Sequence, residues 1–221
     1  MKVTKILSSD ALANARLLSK GLVFMDGKES AHGLAEEVKE NSEANPQEKS
    51  YQEMSDSILA ILAQNVWLQR RFLPKFFSPP IINRYKVGES YGRHYDSAHM
   101  RTTKTSTRKD FSYTIMLSAL NEYEGGELEI EAGSSKHKVR LDAGDMVIYP
   151  STTIHRVLPV IRGERLAYVG WIASHVKDPL AIELLNLYED LHIAICKYPL
   201  SKDDELSFTH IKNKLQHIFS D

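Results

Sequence analysis

A chain of 221 residues, 42% hydrophobic and 26% charged, can bury a substantial core, and it suits one domain with appendages better than two equal domains. A net charge of −1 gives no general attraction to nucleic acid or to an anionic membrane, so electrostatic recognition must come from a local patch. The single cysteine, Cys196, excludes an internal disulfide and any cysteine-rich metal site. Set among Ile193, Ile195 and Tyr198 late in a helical stretch, it reads as a small buried hydrophobe.

At the N-terminus, Ser8, Ser9, Asp10, Asn14 and Arg16 interrupt the apolar residues, which gives no signal-peptide core, and no apolar run approaches membrane-spanning length. A cytoplasmic soluble protein is the expectation. Ser8-Ser9-Asp10 starts a helix in which Ala11, Leu12, Ala15 and Leu18 recur at helical spacing, with Gly21 as its stop. Phe24 to Gly27 reads as an edge strand ending in a turn. Lys28 to Ser50 is polar, charged and broken by Pro46, and it reads as a solvated helix or loop with no chemistry of its own. Met54 to Asn65 is a second helix, with Ile58, Leu59, Ile61 and Leu62 on a broad apolar face. Pro74, Pro79 and Pro80 close this part.

Beyond Pro80 the period changes from helical to two. Phe111, Tyr113, Ile115 and Leu117 alternate with Ser112, Thr114 and Met116, and short strands are expected at 81–86, 110–117, 127–131, 137–141, 146–149, 154–158 and 165–172. Turn residues at Gly125-Gly126, Gly133-Ser134-Ser135, Ala143-Gly144-Asp145 and Arg162-Gly163 separate them, with Gly125-Gly126 as a tight turn or bulge and Asp145 as a turn aspartate. Many short strands without intervening helices argue for an antiparallel sandwich or barrel. Asp178-Pro179 then opens a helix whose shared face is Ala181, Leu184, Leu185, Tyr188, Leu191 and Ile195, and a last helix carries Phe208, Ile211, Leu215 and Ile218. These two helices pack on the flank of the barrel or supply a homodimer contact.

The chemistry concentrates in 83–96 and 143–165. His94 and Asp96 are two residues apart, so on a strand they share one face, and His155 opens a later strand. Two imidazoles and one carboxylate fill three coordination positions and leave the rest open, an arrangement suited to ferrous iron. His32, His99, His137, His175, His192, His210 and His217 read as surface or capping residues. If Pro159 to Glu164 is a hairpin connection centred at Val160, Arg165 lies directly opposite His155. An interior arginine beside a metal needs an anion; Glu164 and Asp145 compete for it, and a bound carboxylate fits its planar fork better. 2-Oxoglutarate has the matching layout, a 2-oxo acid group for the metal and a distal carboxylate for Arg165.

The stretches Asn83–Ala98, Tyr123–Leu128 and Ala143–Arg165 resemble the Fe(II)- and 2-oxoglutarate-dependent dioxygenases of the prolyl hydroxylase group, and within it the bacterial PKHD-type hydroxylases. The resemblance covers the whole chain in outline and is specific in its middle. It implies an α+β fold with a double-stranded β-helix (jelly-roll) core at 78–174, an N-terminal helical layer at 1–77 and a short C-terminal helical tail at 175–221. It implies a hydroxylase that uses Fe(II), 2-oxoglutarate and O2, with ascorbate as reductant, in a family associated with iron uptake. Carried over, His94, Asp96 and His155 match the iron ligands and Arg165 the 2-oxoglutarate arginine. Tyr85 matches a tyrosine that hydrogen-bonds the co-substrate, or it fills the barrel as an aromatic. Tyr95 and Ser97 depart from the family's usual aliphatic residue and asparagine. The polar loop Ser97–Lys109, with Arg101, Lys104, Arg108 and Lys109, is either solvated or a lid that selects an acidic substrate. The substrate is a small molecule or a peptide, with no nucleic acid or membrane partner. The same residues also allow a non-catalytic sensor of iron or 2-oxoglutarate, or a zinc hydrolase.

Overall fold

The computed structural model describes residues 1–101 and 106–220. Thr102, Thr103, Lys104 and Thr105 of the charged loop lie outside the described residues, as does the side chain of Arg101. The chain begins with strand β1 (Lys2–Lys5) and helix α1 (Ser9–Ser19), whose N-cap Ser8 accepts from the Ala11 amide at 3.2 Å. Strand β2 (Phe24–Asp26) is followed by the short helix α2 (Leu34–Glu37) and strands β3 (Lys39–Glu40) and β4 (Ser42–Ala44). Helix α3 (Lys49–Gln64) runs almost directly into α4 (Val66–Phe72), where Asn65 caps the new helix at the Leu68 amide, and β5 (Pro74–Phe77) ends this part.

Twelve strands follow: β6 (Ile81–Tyr85), β7 (Ser90–His94), β8 (His99–Arg101), β9 (Ser106–Arg108), β10 (Phe111–Met116) and β11 (Tyr123–Gly125) come first. Next are β12 (Leu128–Ala132), β13 (Ser135–Val139), β14 (Asp145–Pro150), β15 (His155–Val157), β16 (Val160–Gly163) and β17 (Arg165–Ser174). Helices α5 (Pro179–Ile195) and α6 (Lys202–Phe219) close the chain.

The strands form a larger sheet in the order β1-β14-β10-β17-β6-β4-β2, with β5 also paired to β17, and a smaller sheet in the order β13-β12-β15-β7-β3. Their pairings are antiparallel. β11 pairs β16 and β8 pairs β9 as separate ribbons. The expected alternation on β10 divides two cores. Tyr113, Ile115 and Leu117 face a cluster with Met54, Ile58 and Leu62 of α3, whereas Met116 faces the space between the sheets with Tyr85, Leu128 and Tyr149. Both faces of the larger sheet are therefore covered, one by helices and one by the smaller sheet. Gly125 and Gly126 adopt positive φ at a register shift between β11 and β16, the bulge expected there.

Four expectations are corrected. Lys28–Ser50 is not a solvated stretch: it carries α2, β3 and β4, which extend the two sheets, and it buries Lys39 and Glu43. The two opposite charges pair with each other, and the Lys39 ammonium donates to Ser30 Oγ at 2.7 Å while Ser30 donates to Glu43 at 3.0 Å. Polarity in the sequence concealed burial because the charges neutralise one another inside. On α5 the buried residues are Ala181, Ile182, Leu185 and Glu189, whereas Leu184 and Leu191 are exposed. The helix is rotated because Glu189 is held by Arg70 at 3.2 Å and Lys212 at 2.7 Å. On α6, Ile211 and Ile218 are exposed, and Leu215 and Phe219 make the contact with α5's cluster. Cys196 is exposed, because it lies at the end of α5 where the chain leaves the core. Among the described residues no helix is long and apolar enough to cross a membrane.

The buried pair gives a test. Lys39→Ala leaves Glu43 as an uncompensated charge and is expected to cost about 3–5 kcal/mol of stability. Lys39→Met combined with Glu43→Leu is expected to recover most of that loss, read from urea unfolding midpoints. Equal losses in the single and double variants would show that the pair is not coupled.

Candidate active site

The site forms where β7 and β15 end beside each other. His94 is the last residue of β7 and His155 the first of β15, and the two are direct partners across the antiparallel pair. Their ring centroids lie 4.3 Å apart. Asp96 is not on the strand, as its spacing from His94 suggested. It lies two residues beyond the end of β7, and the turning chain still brings its carboxylate to the imidazoles. One ligand atom from each of His94, Asp96 and His155 lies within 4.8 Å of the others.

Each imidazole is held by the chain just before it. His94 Nδ1 is 2.8 Å from the Gly92 carbonyl and His155 Nδ1 is 2.9 Å from the Thr153 carbonyl. A carbonyl only accepts, so Nδ1 carries the proton in both rings and Nε2 presents a free lone pair. Burial, reinforced by the neighbouring His155, lowers His94 to about 4, so its ring is neutral near pH 7. Asp96 is tied to the larger sheet: Oδ2 accepts from the Ser112 hydroxyl and from the Trp171 indole at 2.9 Å. Neither Ser112 nor Trp171 stood out in the sequence, where they fall within the strands expected at 110–117 and 165–172. Tyr91 stacks on His94 with centroids 3.6 Å apart, and Lys39 lies over the other end of this stack, 5.2 Å from the Tyr91 ring.

Arg165 occupies the floor of the same cavity. It is 1% exposed, it is the first residue of β17, and it pairs with Tyr85 of β6. The expected position opposite His155 across a hairpin is incorrect. Between them the chain forms β16, which pairs with β11, and Gly163 at φ 75° then carries it into the larger sheet. His155 and Arg165 thus belong to different sheets and converge across the space between them. Neither suggested acid reaches the guanidinium: Glu164 lies 3.9 Å from Arg84, and Asp145 lies 3.5 Å from Lys5. Among the described residues Arg165 Nε and Nη1 have no hydrogen-bond partner, and neither does Asn83 Oδ1 in the same cavity wall. The Tyr85 ring centroid is 5.2 Å from the guanidinium, and burial pushes the Tyr85 hydroxyl up to about 12, so it stays protonated. Gly126 permits this packing, since a Cβ there would lie 3.0 Å from Arg165 Cδ.

The cavity measures about 620 Å³. Its walls include Tyr149 and Val157 from the core, and Ala31, Leu34 and Lys39 from the N-terminal segment. His32, expected on the surface, is exposed but borders this cavity. Of the 97–109 loop, the Lys109 side chain faces the cavity, and burial lowers its pKa; Arg108 is tied to Asp110 and to the Ser174 carbonyl.

The arrangement can hold one metal ion on three protein atoms with open positions beside it, and one carboxylate on Arg165. Comparison with known proteins leads to the same class. Residues 80–173 match the model of the 2OG-Fe(II) oxygenase superfamily. A PKHD-type hydroxylase of Alteromonas mediterranea is 38% identical over 185 residues, 83% of this chain and 82% of the relative. Another from Hyphomonas neptunium is 33% identical over 99% of this chain and 98% of its own. An oxidoreductase of the 2OG-Fe(II) oxygenase family from Burkholderia pseudomallei superposes with a TM-score of 0.55 at 18% identity, covering 76% of this chain and 81% of its own, a likeness of fold alone. Identity at this level over nearly the full length of the relatives places the chain among the PKHD-type hydroxylases, which are 2-oxoglutarate-dependent oxygenases.

Proposed function

We propose that the chain hydroxylates its substrate with Fe(II) held by His94, Asp96 and His155, and with 2-oxoglutarate held at its distal carboxylate by Arg165 and Tyr85. One observation carries this reading: three convergent ligand atoms and a buried guanidinium with unpaired Nε and Nη1 share a single cavity. The donor set, two imidazoles and one carboxylate, fits ferrous iron better than a structural zinc site, which would be closed by a fourth protein ligand. The strand order supports a double-stranded β-helix core, because β6, β10, β14 and β17 of the larger sheet alternate along the chain with β7, β12–β13 and β15 of the smaller. On this reading 78–174 is the catalytic core, 1–77 its support and 175–221 an extension.

When bound, iron, 2-oxoglutarate and O2 supply the oxidation: the co-substrate loses carbon dioxide and leaves as succinate, one oxygen atom entering succinate and the other the substrate. The chain supplies position and dryness. His94 and His155 present Nε2 because their Nδ1 protons are engaged by backbone carbonyls. Ser112 and Trp171 hold Asp96 Oδ2, which leaves Oδ1 for the metal. Arg165 meets a carboxylate with two parallel donors, and protonated Tyr85 adds a third. Tyr149 and Val157 line the cavity from the apolar core between the sheets and keep water from the reacting centre. Ascorbate serves as reductant for iron oxidised in unproductive turnover. A place in iron uptake or homeostasis rests on the family resemblance, and transcript levels under iron limitation test it.

The reading is tested by incubating iron-loaded protein with 2-oxoglutarate, ascorbate and fractionated lysate, and following succinate and a product heavier by one oxygen atom. His94→Ala, Asp96→Ala and His155→Ala are each expected to abolish succinate formation and oxygen consumption while unfolding cooperatively; full turnover in any of them refutes that ligand. Arg165→Ala removes charge-assisted hydrogen bonds worth about 3 kcal/mol and is expected to weaken 2-oxoglutarate roughly 10²-fold with iron retained. Loss of iron with unchanged 2-oxoglutarate affinity would contradict the assignment. Trp171→Phe is expected to lower metal affinity about 10–100-fold by freeing Asp96, measured by competition with a chelator; an unchanged affinity would show that Asp96 needs no such support.

A further inference from the structure

Two cations of the cavity form no ion pair with a carboxylate among the described residues: Arg165 at the floor, and Lys109 beside the exposed Tyr95 and Ser97, which feels only the through-space attraction of Asp96. The others are matched, Lys39 by Glu43 and Arg93 by Glu131. Lys109 is nonetheless held in place. Its amide donates to the Ala98 carbonyl at 2.9 Å, and its Nζ lies 3.6 Å from the centre of the Trp171 ring and 3.3 Å from Ser97 Oγ. The same Trp171 donates its indole N–H to Asp96. The ammonium therefore sits one aromatic ring away from the candidate metal ligand, on the side where the chain leaves the site.

We infer that Lys109 binds a carboxylate on the primary substrate, so that this enzyme hydroxylates an acidic substrate close to its anionic group. This rests on the function proposed above. In the loaded site the two charges of Fe(II) and that of Arg165 balance those of Asp96 and the dianionic co-substrate, since a coordinated imidazole adds no charge. Lys109 is then the uncompensated charge of the cavity's described side chains, and the neutral Tyr85, Tyr91 and Tyr149 do not offset it. A positive charge in a half-enclosed apolar mouth raises the local concentration of anions and makes a neutral analogue a poorer partner. Stacking on Trp171 removes most of the freedom of a lysine chain, so the ammonium is oriented before the substrate arrives. Neighbouring Arg108 is tied to Asp110 and the Ser174 carbonyl and does not line the cavity.

The test uses the full chain loaded with Fe(II) and 2-oxoglutarate under argon, titrated by calorimetry with N-acetyl-L-glutamate against its neutral diamide, and with N-acetyl-L-proline against its amide. The acid of at least one pair is expected to bind roughly tenfold or more tighter than its amide, as one charge-assisted contact implies. Lys109→Met and Lys109→Gln are expected to erase that preference, Lys109→Arg to keep it and Lys109→Glu to reverse it. A preference that survives in Lys109→Met and Lys109→Gln, equal binding of acid and amide by the wild type, or no binding of either acid overturns the inference. So does a loss of 2-oxoglutarate affinity in the Lys109 variants in place of the acid preference. If the wild type binds neither iron nor 2-oxoglutarate, the proposed function itself fails; if it binds both and shows no acid preference, the assignment of Lys109 fails alone.

Discussion

The buried guanidinium of Arg165 is the constraint on which the rest of the cavity depends. A cation at 1% exposure cannot be solvated, and the two acids that the sequence offered as its partners are drawn away, Glu164 to Arg84 and Asp145 to Lys5. The described residues offer it an aromatic face from Tyr85 and a glycine at 126 that leaves room for its chain, but no ion-pairing carboxylate. A charge kept in this way costs stability, and a bound anion would relieve that cost. The floor of the cavity is thus shaped for a ligand carboxylate. The three candidate metal ligands stand at the other end of the same cavity.

The two sheets divide this work. His94 and His155 come from the smaller sheet, where strand pairing sets them side by side. Arg165 and Tyr85 come from the larger, where pairing sets them side by side in turn. Asp96 joins the halves: it follows β7 of the smaller sheet, yet its carboxylate is gripped by Ser112 on β10 and Trp171 on β17 of the larger. The carboxylate of this candidate ligand therefore works as a cross-sheet tie. The separation between imidazoles and guanidinium is governed by the packing of the core between the sheets, so residues such as Met116 and Val147, which do not line the cavity, act on the site without touching it.

Local pattern made much of this legible. The period-two alternation of Phe111 to Leu117 divides two real cores, and Gly125-Gly126 form a real bulge. The residues His94, Asp96, His155 and Arg165 stand out because each is an expensive group to place in an interior. Their route together was not legible. A symmetric hairpin is the simplest reading of Val157 to Arg165, but β16 pairs with β11, a partner more than thirty residues upstream, and non-local pairing leaves no local trace. Lys39 and Glu43 were hidden for a related reason: charge pairs that neutralise one another inside a protein look the same in sequence as charges in water. Ser112 and Trp171 were missed because a polar or aromatic residue on the inward side of a strand does not show which loop will reach it.

The separation of these parts along the chain bears on how specificity is built. The family model matches 80–173, which contains the three candidate ligands and Arg165, so the chemistry is confined to the stretch shared across the superfamily. One wall of the cavity, with Ala31, Leu34 and Lys39, lies outside that stretch, within the 99% of the chain that aligns with the Hyphomonas neptunium relative. That wall is locked to the site by contacts: the Gly92 amide donates to the Val38 carbonyl at 2.8 Å, and a Cβ on Gly92 would lie 2.6 Å from Val38 Cβ. A cavity of about 620 Å³ holds more than a five-carbon dicarboxylate, and the remaining room is bounded by this wall and by the Lys109–Trp171 pair. The reaction is thus set by one part of the chain, and the shape offered to a substrate is set largely by another, packed against it backbone to backbone.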